Sequence, residues 1–210
     1  MLGARGVSFA YGKTQSILTK WDADFSAGEI VAVTGPSGVG KSTLLYILGL
    51  MLRPQDGEIL VDGKPASSLR DSGRASLRAK YFGFVFQDAA LDTSRTVVDN
   101  VIESALYRGQ PRAEAVTRAM ELMERFGVAV KAAARPGQVS GGQAQRIALC
   151  RALLGNPRFI LADEPTGNLD PGSADVVVGA FHEHVRNGAT VIVVTHDPVL
   201  AARCDRRIDL

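Results

Sequence analysis

The feature that most constrains how this chain folds is a glycine-rich octet near its N-terminus. The octet fits the pattern G-x-x-x-x-G-K-[ST] and lies between a strand-like run at 29–34 and a helical run at 41–52. It consists of Gly35, Pro36, Ser37, Gly38, Val39, Gly40, Lys41 and Ser42. A strand, such a loop and then a helix predict a phosphate-binding loop in an α/β fold.

Each residue type in this loop suits a chain of phosphates. Glycines allow backbone N–H groups to point inward, and the helix that follows presents its positive N-terminal end. Lys41 supplies a charge for the outer phosphates, and Ser42 can place its hydroxyl on a Mg²⁺ ion that bridges phosphate oxygens, with Thr43 as a further contact. The alternative is a glycine-rich turn with a chance lysine, and the flanking strand and helix argue against it.

Two adjacent carboxylates end a second apolar run. The run at 159–162 is typical of a buried strand, and Asp163 and Glu164 follow it directly. Because ligands of open α/β sheets bind outside the carboxyl ends of strands, we expect both acids near the phosphates. Asp163 is predicted to hold the magnesium ion or its water, and Glu164 to orient the water that attacks the γ-phosphate. Solvated turn residues are the alternative interpretation of such a pair.

A third motif precedes the helical run at 144–154. Ser140 and Gln143 have the spacing of a capping box, which would satisfy free N–H groups at a helix start without any further function. Capping does not explain Gly141 and Gly142 between them, because glycine weakens the first turn of a helix. We therefore expect something to approach this backbone closely.

The rest of the sequence alternates strand-like with helical patterns. The strand-like runs lie at 7–9, 29–34, 57–61, 81–86, 159–162 and 190–194. The helical runs lie at 41–52, 67–80, 97–126, 144–154 and 173–186. The first three strand-like runs suggest a small antiparallel element, and the alternation predicts a mostly parallel sheet covered on both faces. His182 and His184, two residues apart on a helix, are interpreted as solvated.

Composition narrows the classes of partner. The 210 residues carry 24 basic and 22 acidic side chains along the whole length, so there is no basic block and nucleic acid is not an expected partner. The longest strongly apolar run, at 44–52, is far shorter than the roughly 20 residues that a spanning helix needs. We therefore expect a cytoplasmic chain that acts at a membrane only through a partner.

These motifs, in this order, resemble those of ABC ATPases. Residues 139–143 are similar to the signature motif of that family, with Val139 where leucine is usual. The resemblance covers essentially the whole chain, and 161–170 look most like the lipoprotein-release and macrolide-exporter group. It also assigns roles to Tyr11 as the adenine-stacking aromatic, Gln87 as the Q-loop glutamine, Asp170 in the D-loop and His196 as the switch histidine. Three of these assignments also have a purely structural alternative. Tyr11 would then be an edge-strand aromatic, Gln87 a polar strand end and His196 a turn cap.

The resemblance implies a P-loop NTPase fold formed by a single domain, 1–210. Its mostly parallel central sheet would carry a small N-terminal antiparallel β subdomain and an inserted helical subdomain at about 88–155. ATP and Mg²⁺ would be the cofactors, with Ser42, Gln87 and Asp163 at the metal. The catalytic residues would be Glu164, His196 and Gln87.

The resemblance also implies partners. In the ATP-bound state two copies would form a homodimer around two ATP molecules. Ser140, Gly141, Gly142 and Gln143 would then contact the nucleotide held by the other copy, and Asp170 would join the nucleotide contacts. A membrane-spanning permease subunit would receive the motion through the surface at 88–138.

Two other classes of protein share parts of this pattern. A P-loop kinase would need a site for an acceptor substrate, and it would not explain the motif at 140–143 or Asp170. The other class is an ABC ATPase that works as a regulator or as a DNA-associated protein without transport. A DNA-associated type would be expected to carry a long coiled-coil insertion or two tandem cassettes, and 210 residues hold neither. We therefore expect a transport-coupled ATPase, peripheral on the inner face of the cell membrane. A non-transport regulatory ABC ATPase module stays the alternative.

Overall fold

The computed structural model describes residues 1–12 and 15–210. Its strands are β1 (Leu2–Tyr11), β2 (Gln15–Phe25), β3 (Ile30–Thr34), β4 (Asp56–Val61), β5 (Lys64–Pro65), β6 (Phe82–Val85), β7 (Phe159–Asp163), β8 (Thr190–Val194) and β9 (Arg206–Asp209). Its α-helices are α1 (Lys41–Leu48), α2 (Asp71–Tyr81), α3 (Val97–Tyr107), α4 (Arg112–Arg125), α5 (Gly141–Leu153), α6 (Pro171–Arg186) and α7 (Pro198–Ala202).

A five-stranded parallel sheet forms the centre of the fold, in the order β6-β7-β8-β3-β9. Every residue of β3, β7 and β8 is buried, which is why these runs are continuously apolar in the sequence instead of alternating. Successive residues of β8 face opposite sides of the sheet. Val191 and Val193 pack against the helices α3 to α6, whereas Ile192 and Val194 pack against α1 and the antiparallel strands. The predicted parallel sheet, covered on both faces, is confirmed.

A four-stranded antiparallel sheet, in the order β2-β1-β4-β5, lies beside the parallel one. The predicted antiparallel element is confirmed, but its membership is different. The run at 29–34 belongs to the parallel sheet as β3. β1 pairs with the predicted strand β4 on one side and with β2, which the sequence did not predict, on the other. Five consecutive buried residues in β3 are typical of a central parallel strand, so the prediction that 29–34 belongs to the antiparallel element is wrong.

Tertiary contacts move several helix boundaries. Helix α1 ends at Leu48, not at 52. Gly49 lies against the ring of Phe84, and Leu50 has a left-handed φ of 59°, which a right-handed helix does not allow. Helix α2 begins at Asp71, not at 67, because the Ser67 N–H donates to Glu58 Oε1 at 2.7 Å. The helical pattern at 97–126 is two helices, α3 and α4, separated by residues 108–111.

The prediction that His184 is solvated is wrong. His184 is buried, and its Nε2 lies 2.7 Å from the Pro157 carbonyl oxygen. It shares the inward face of α6 with Val177 and Phe181, at the spacing of seven and three residues that repeats along one side of a helix. Burial lowers the pKa of the His184 imidazole, which therefore serves as a neutral hydrogen-bonding core residue.

Across the described residues, no helix combines the length and the apolar character that a membrane-crossing segment needs.

Two glycine-to-alanine substitutions test the packing in opposite directions. In β6, a Cβ at Gly83 would stand 2.5 Å from the Ala152 carbonyl oxygen of α5. Gly83→Ala should therefore lower the free energy of unfolding by about 1–3 kcal/mol. Gly179 lies on the exposed side of α6, where an added Cβ would meet nothing within 4 Å outside its own helix turn. Gly179→Ala should raise the free energy of unfolding by up to about 1 kcal/mol.

Urea denaturation of the two variants and the wild type measures both changes. A Gly83→Ala protein as stable as the wild type would contradict the close packing of β6 on α5.

Candidate nucleotide-binding and hydrolysis site

The register of the parallel sheet brings the predicted site residues to one edge. Val194 of β8 pairs with Val33 of β3 on one side and with Asp163 of β7 on the other. Because the three strands are parallel and end level with one another, the phosphate-binding loop, the paired acids and His196 all leave the sheet at its carboxyl edge.

The loop at 35–40 takes a conformation that requires glycine. Gly38 and Gly40 have φ angles of 80° and 107°, which side chains disfavour. A Cβ on Gly40 would lie 2.0 Å from Ile17 Cγ2, so the close approach of β2 also excludes a side chain there. Helix α1 begins at Lys41 without a side-chain cap, so its first N–H groups are free to bind an anion.

Lys41 is folded back over this loop. Its Nζ donates hydrogen bonds to the carbonyl oxygens of Gly35 (2.8 Å) and Pro36 (2.9 Å), and the residue is buried. Phosphate oxygens are stronger acceptors than neutral carbonyls because they are charged. A phosphate chain in the loop would therefore replace these carbonyls as the partner of the ammonium group.

Tyr11 lies beside the first turn of α1. The residue is 55% exposed, and its hydroxyl is 3.3 Å from Thr43 Oγ1. Phe9 packs edge-on against the Tyr11 ring, with the ring centroids 5.0 Å apart. An exposed aromatic ring in this position is within reach of a base attached to phosphates in the loop.

Asp163 is a buried carboxyl, 6% exposed, at the end of β7. Burial raises the pKa of this carboxyl, while a hydrogen bond with Ser42 and the charge of Lys41 act in the opposite direction. A buried carboxylate needs a positive charge close by to remain ionised. The Ser42 hydroxyl and the Asp163 carboxylate are hard oxygen ligands of the kind that Mg²⁺ prefers, so the pair fits a magnesium site.

Glu164 is fixed by three hydrogen bonds from the two residues after β8. Thr195 Oγ1 donates to Glu164 Oε2 at 2.9 Å, and the backbone N–H of His196 donates to Oε1 at 3.0 Å. The Nδ1 of His196 lies 2.6 Å from the same Oε1. The backbone of Glu164 has a positive φ of 44°, which is rare for a residue with a side chain and is concentrated at functional sites.

The motif at 140–143 forms the capping box that its spacing predicts. Ser140 Oγ accepts from the Gln143 N–H at 3.3 Å, and Gln143 Oε1 accepts from the Ser140 N–H at 3.0 Å. Capping leaves Gly141 unexplained, because a Cβ built there would meet nothing within 4 Å among the described residues other than its own helix turn. Ser140 and Gly141 are exposed, so this helix start is open to another molecule.

A small cleft of about 100 Å³ brings together three of the predicted residues. Gln87, Gly141 and Glu164 all line it. Asp170, in contrast, caps α6 by accepting hydrogen bonds from the Ser173 N–H at 3.0 Å and the Ser173 hydroxyl at 2.7 Å. That capping bond gives Asp170 a structural role which the sequence interpretation did not include.

The sequence did not predict two residues that fix the positions of others in the site. Thr195 fixes Glu164, and its position between a buried strand and His196 was a usable signal. Arg151 donates to the carbonyl oxygens of Ala89 and Ala90, just after Gln87, and nothing local to its sequence indicated this contact.

The amino-acid sequence was compared with those of known protein families and proteins. Residues 18–167 match the family described as ABC transporter. The lipoprotein-releasing system ATP-binding protein LolD of Paramagnetospirillum magneticum is 46% identical, over 97% of this chain and 91% of its own length. The macrolide export ATP-binding/permease protein MacB 1/2 of Paracoccus denitrificans is 44% identical over 100% of this chain, which spans 32% of that longer protein.

Solved structures show the same fold. The dimeric structure of MJ0796, a bacterial ABC transporter cassette, superposes with a TM-score of 0.93 at 34% identity, covering 100% of this chain and 94% of that one. A dimeric post-hydrolysis state of the same cassette, bound to ADP and Pi, gives a TM-score of 0.89 at 32% identity with the same coverage. With its P-loop NTPase fold, its ATP and Mg²⁺ cofactors and its ATPase reaction, the chain belongs to the ABC transporter family, as an ATP-binding cassette.

Proposed function

We propose that this chain is the ATP-hydrolysing subunit of a transporter that exports or extracts its substrate through a separate membrane-spanning permease. Relatives named for lipoprotein release and for macrolide export support this class of work. The chain would lie in the cytoplasm, peripheral on the inner face of the cell membrane, and would be held there by the permease.

The observation that carries the proposal is a pair of surfaces in each copy, which would be halves of two different sites. One half is the phosphate-binding loop with Asp163 and Glu164 at the edge of the sheet. The other is the exposed start of α5, where Gly141 has room for a close approach that no described residue of the chain makes. Two copies placed head to tail would complete both sites, as a symmetric dimer requires.

In the ground state the loop at 35–42 would wrap the phosphates and Tyr11 would stack on the base. Lys41 would neutralise the outer phosphates. Ser42 and Asp163, with Gln87, would hold Mg²⁺, which when bound neutralises charge on the phosphate oxygens. Ser140, Gly141, Gly142 and Gln143 of the other copy would present N–H groups to the γ-phosphate, with Asp170 nearby.

Glu164 would act as the general base. The oxygen of a water molecule forms a bond to the γ-phosphorus as its proton passes to the Glu164 carboxylate, and the bond to the bridging oxygen of ADP breaks. His196 Nδ1 lies 2.6 Å from Glu164 Oε1, so Nε2 is the ring nitrogen that remains available to contact a phosphate oxygen.

Hydrolysis would then open the dimer. ATP bridges the loop of one copy and the signature helix of the other, whereas ADP lacks the γ-phosphate that makes the second contact. Binding therefore favours the closed state and hydrolysis the open one, because only a ligand with different contacts in two states can shift their equilibrium.

A groove on the outer surface is the place where we expect the permease to dock. It has a volume of about 1070 Å³ and lies between α2 and β6 on one side and α3 and α5 on the other. Phe82, Phe84 and Phe86 give it an apolar floor, and Tyr107, 73% exposed, stands at its edge. We therefore extend the expected docking surface at 88–138 to include β6, and we assign α3 to α5 to the helical subdomain at about 88–155.

The role of Lys41 predicts a loss of nucleotide affinity. Lys41→Ala removes a charged donor to the phosphates in ground and transition states alike, so the dissociation constant for ATP should rise roughly tenfold to a hundredfold. Isothermal titration calorimetry measures it. Lys64→Ala, at an exposed lysine of β5, is the matched control and should bind ATP like the wild type. Unchanged affinity in Lys41→Ala would remove Lys41 from the site.

The role of Glu164 predicts a loss of turnover without loss of binding. Glu164→Gln keeps the shape of the side chain but removes the base, so ATP hydrolysis should fall by roughly a hundredfold or more. ATP affinity should stay within about twofold, because the phosphate-binding loop is untouched. Phosphate release assays measure the rate, with Glu124→Gln on the exposed side of α4 as the control. Near-normal turnover would exclude Glu164 as the base.

The two-copy site predicts a nucleotide-dependent dimer. Glu164→Gln with Mg-ATP should shift from monomer to dimer, and ADP should not produce the shift, since trapped ATP links both surfaces and mass action favours association. Adding Ser140→Arg should abolish this dimer. In a chain that keeps Glu164, Ser140→Arg should abolish phosphate release yet leave ATP binding by the monomer intact. Light scattering and calorimetry measure the two properties. A Ser140→Arg protein that hydrolyses ATP as a monomer would rule out the shared site.

A further inference from the structure

Residues 86–90 form a short segment with two different sides. Gln87, Asp88 and Ala89 line the small cleft that also contains Glu164, whereas Phe86 and Ala90 line the docking groove. Ala89 and Ala90 have φ angles of 62° and 45°, so two consecutive alanines adopt the left-handed conformation. Residues with a Cβ rarely adopt that conformation, and contacts from elsewhere must therefore hold the segment in place.

Helix α5 supplies those contacts. Arg151 donates from Nη2 to the Ala89 carbonyl oxygen and from Nη1 to the Ala90 carbonyl oxygen, each at 2.7 Å. Gln145, which is 4% exposed, donates from Nε2 to the Phe86 carbonyl oxygen at 3.1 Å. Hydrogen bonds from α5 therefore hold the backbone on both sides of Gln87. One bond holds residue 86, and two bonds hold residues 89 and 90.

The chemistry of this contact suits arginine and not lysine. A planar guanidinium presents two N–H donors side by side and can fix two successive carbonyl groups at once, whereas an ammonium group is a point charge without that fork. Burial lowers the pKa of Arg151, and the charges of Glu103 and Asp88 act in the opposite direction. Hydrogen bonds from a charged donor are stronger than neutral ones, so the two bonds from Arg151 hold the segment against α5.

The same helix carries the signature motif at its other end. Ser140 caps α5, so a movement of the helix displaces the capping residue and the side chains of Gln145 and Arg151 together. We propose that Arg151 and Gln145 are positioning residues that make the placement of Gln87 depend on the position of α5. This inference rests on the proposed function: if the signature of one copy engages ATP held by the other, closure at that site also sets Gln87 at its own site.

A double-mutant cycle on ATP hydrolysis tests the inference. Arg151→Lys keeps the charge but loses the fork, so kcat should fall roughly tenfold, the scale of a small misplacement at a reacting centre. ATP affinity should change less than about twofold, because the phosphate-binding loop is not involved. In a Gln87→Ala background the same substitution should have little further effect, since a residue that acts through Gln87 then has nothing left to position.

Arg108→Lys is the matched control. Arg108 also lines the groove and donates to a backbone carbonyl, but this carbonyl belongs to Gly155, at 3.1 Å, and not to residues 86–90. Its effect on kcat should multiply with that of Gln87→Ala. Gln145→Met removes the donor to the Phe86 carbonyl oxygen but keeps a side chain of similar size. If Arg151→Lys fails to fold, the same double-mutant cycle is carried out with Gln145→Met.

The possible outcomes distinguish a failure of the positioning role from a failure of the proposed function. Multiplicative effects of Arg151→Lys and Gln87→Ala, or a Gln87→Ala protein with wild-type turnover, would overturn the positioning role. A wild-type chain that hydrolyses no ATP would instead refute the proposed function.

Discussion

The pairing of β8 between β3 and β7 is the constraint on which the whole site depends. Val194 is in register with Val33 on one side and Asp163 on the other, so the phosphate-binding loop, the two acids and the Thr195–His196 pair start from one line across the sheet. A slip of one residue would turn each side chain of β8 to the opposite face. Both faces are packed, which makes such a slip costly and gives the site its fixed geometry.

That geometry carries costs which the surrounding fold offsets. Asp163 is a carboxyl whose pKa burial raises, and Glu164 has a backbone conformation that costs roughly 1–3 kcal/mol. A hydrogen bond with Ser42 and the charge of Lys41 offset part of the first cost. Thr195 and His196 offset the second with three hydrogen bonds. The bonds from Thr195 and His196 hold the Glu164 carboxylate in one place, so this group needs little reorganisation when charge develops on the phosphates.

Local pattern predicted the parts of this fold that local chemistry decides. The phosphate-binding loop, the buried strand before Asp163 and the strand before Thr195 each have a signature within a few residues, and the structure brings them together. The end of α1, the start of α2 and the burial of His184 depend on Phe84, Glu58 and Pro157, which are distant in the sequence. The sequence did not predict strand β2, because β2 has no continuous apolar run and is defined by its pairing with β1. The catalytic roles of the site residues remain predictions.

The segment at 86–90 shows why an ATPase of this shape can act as a subunit of a larger machine. Its three middle residues line the cleft of Glu164, and its two end residues line the outer groove. Helix α5 contacts the segment on both sides, with Gln145 lining the cleft and Arg151 lining the groove. A partner in the groove and a nucleotide in the cleft would therefore bias the same short piece of backbone. Coupling between two binding events is reciprocal, so a partner that changes the affinity for nucleotide must have its own affinity changed by nucleotide to the same extent. A strained segment that borders both the cleft and the groove is suited to this task, because packed elements shift between discrete arrangements and do not deform gradually.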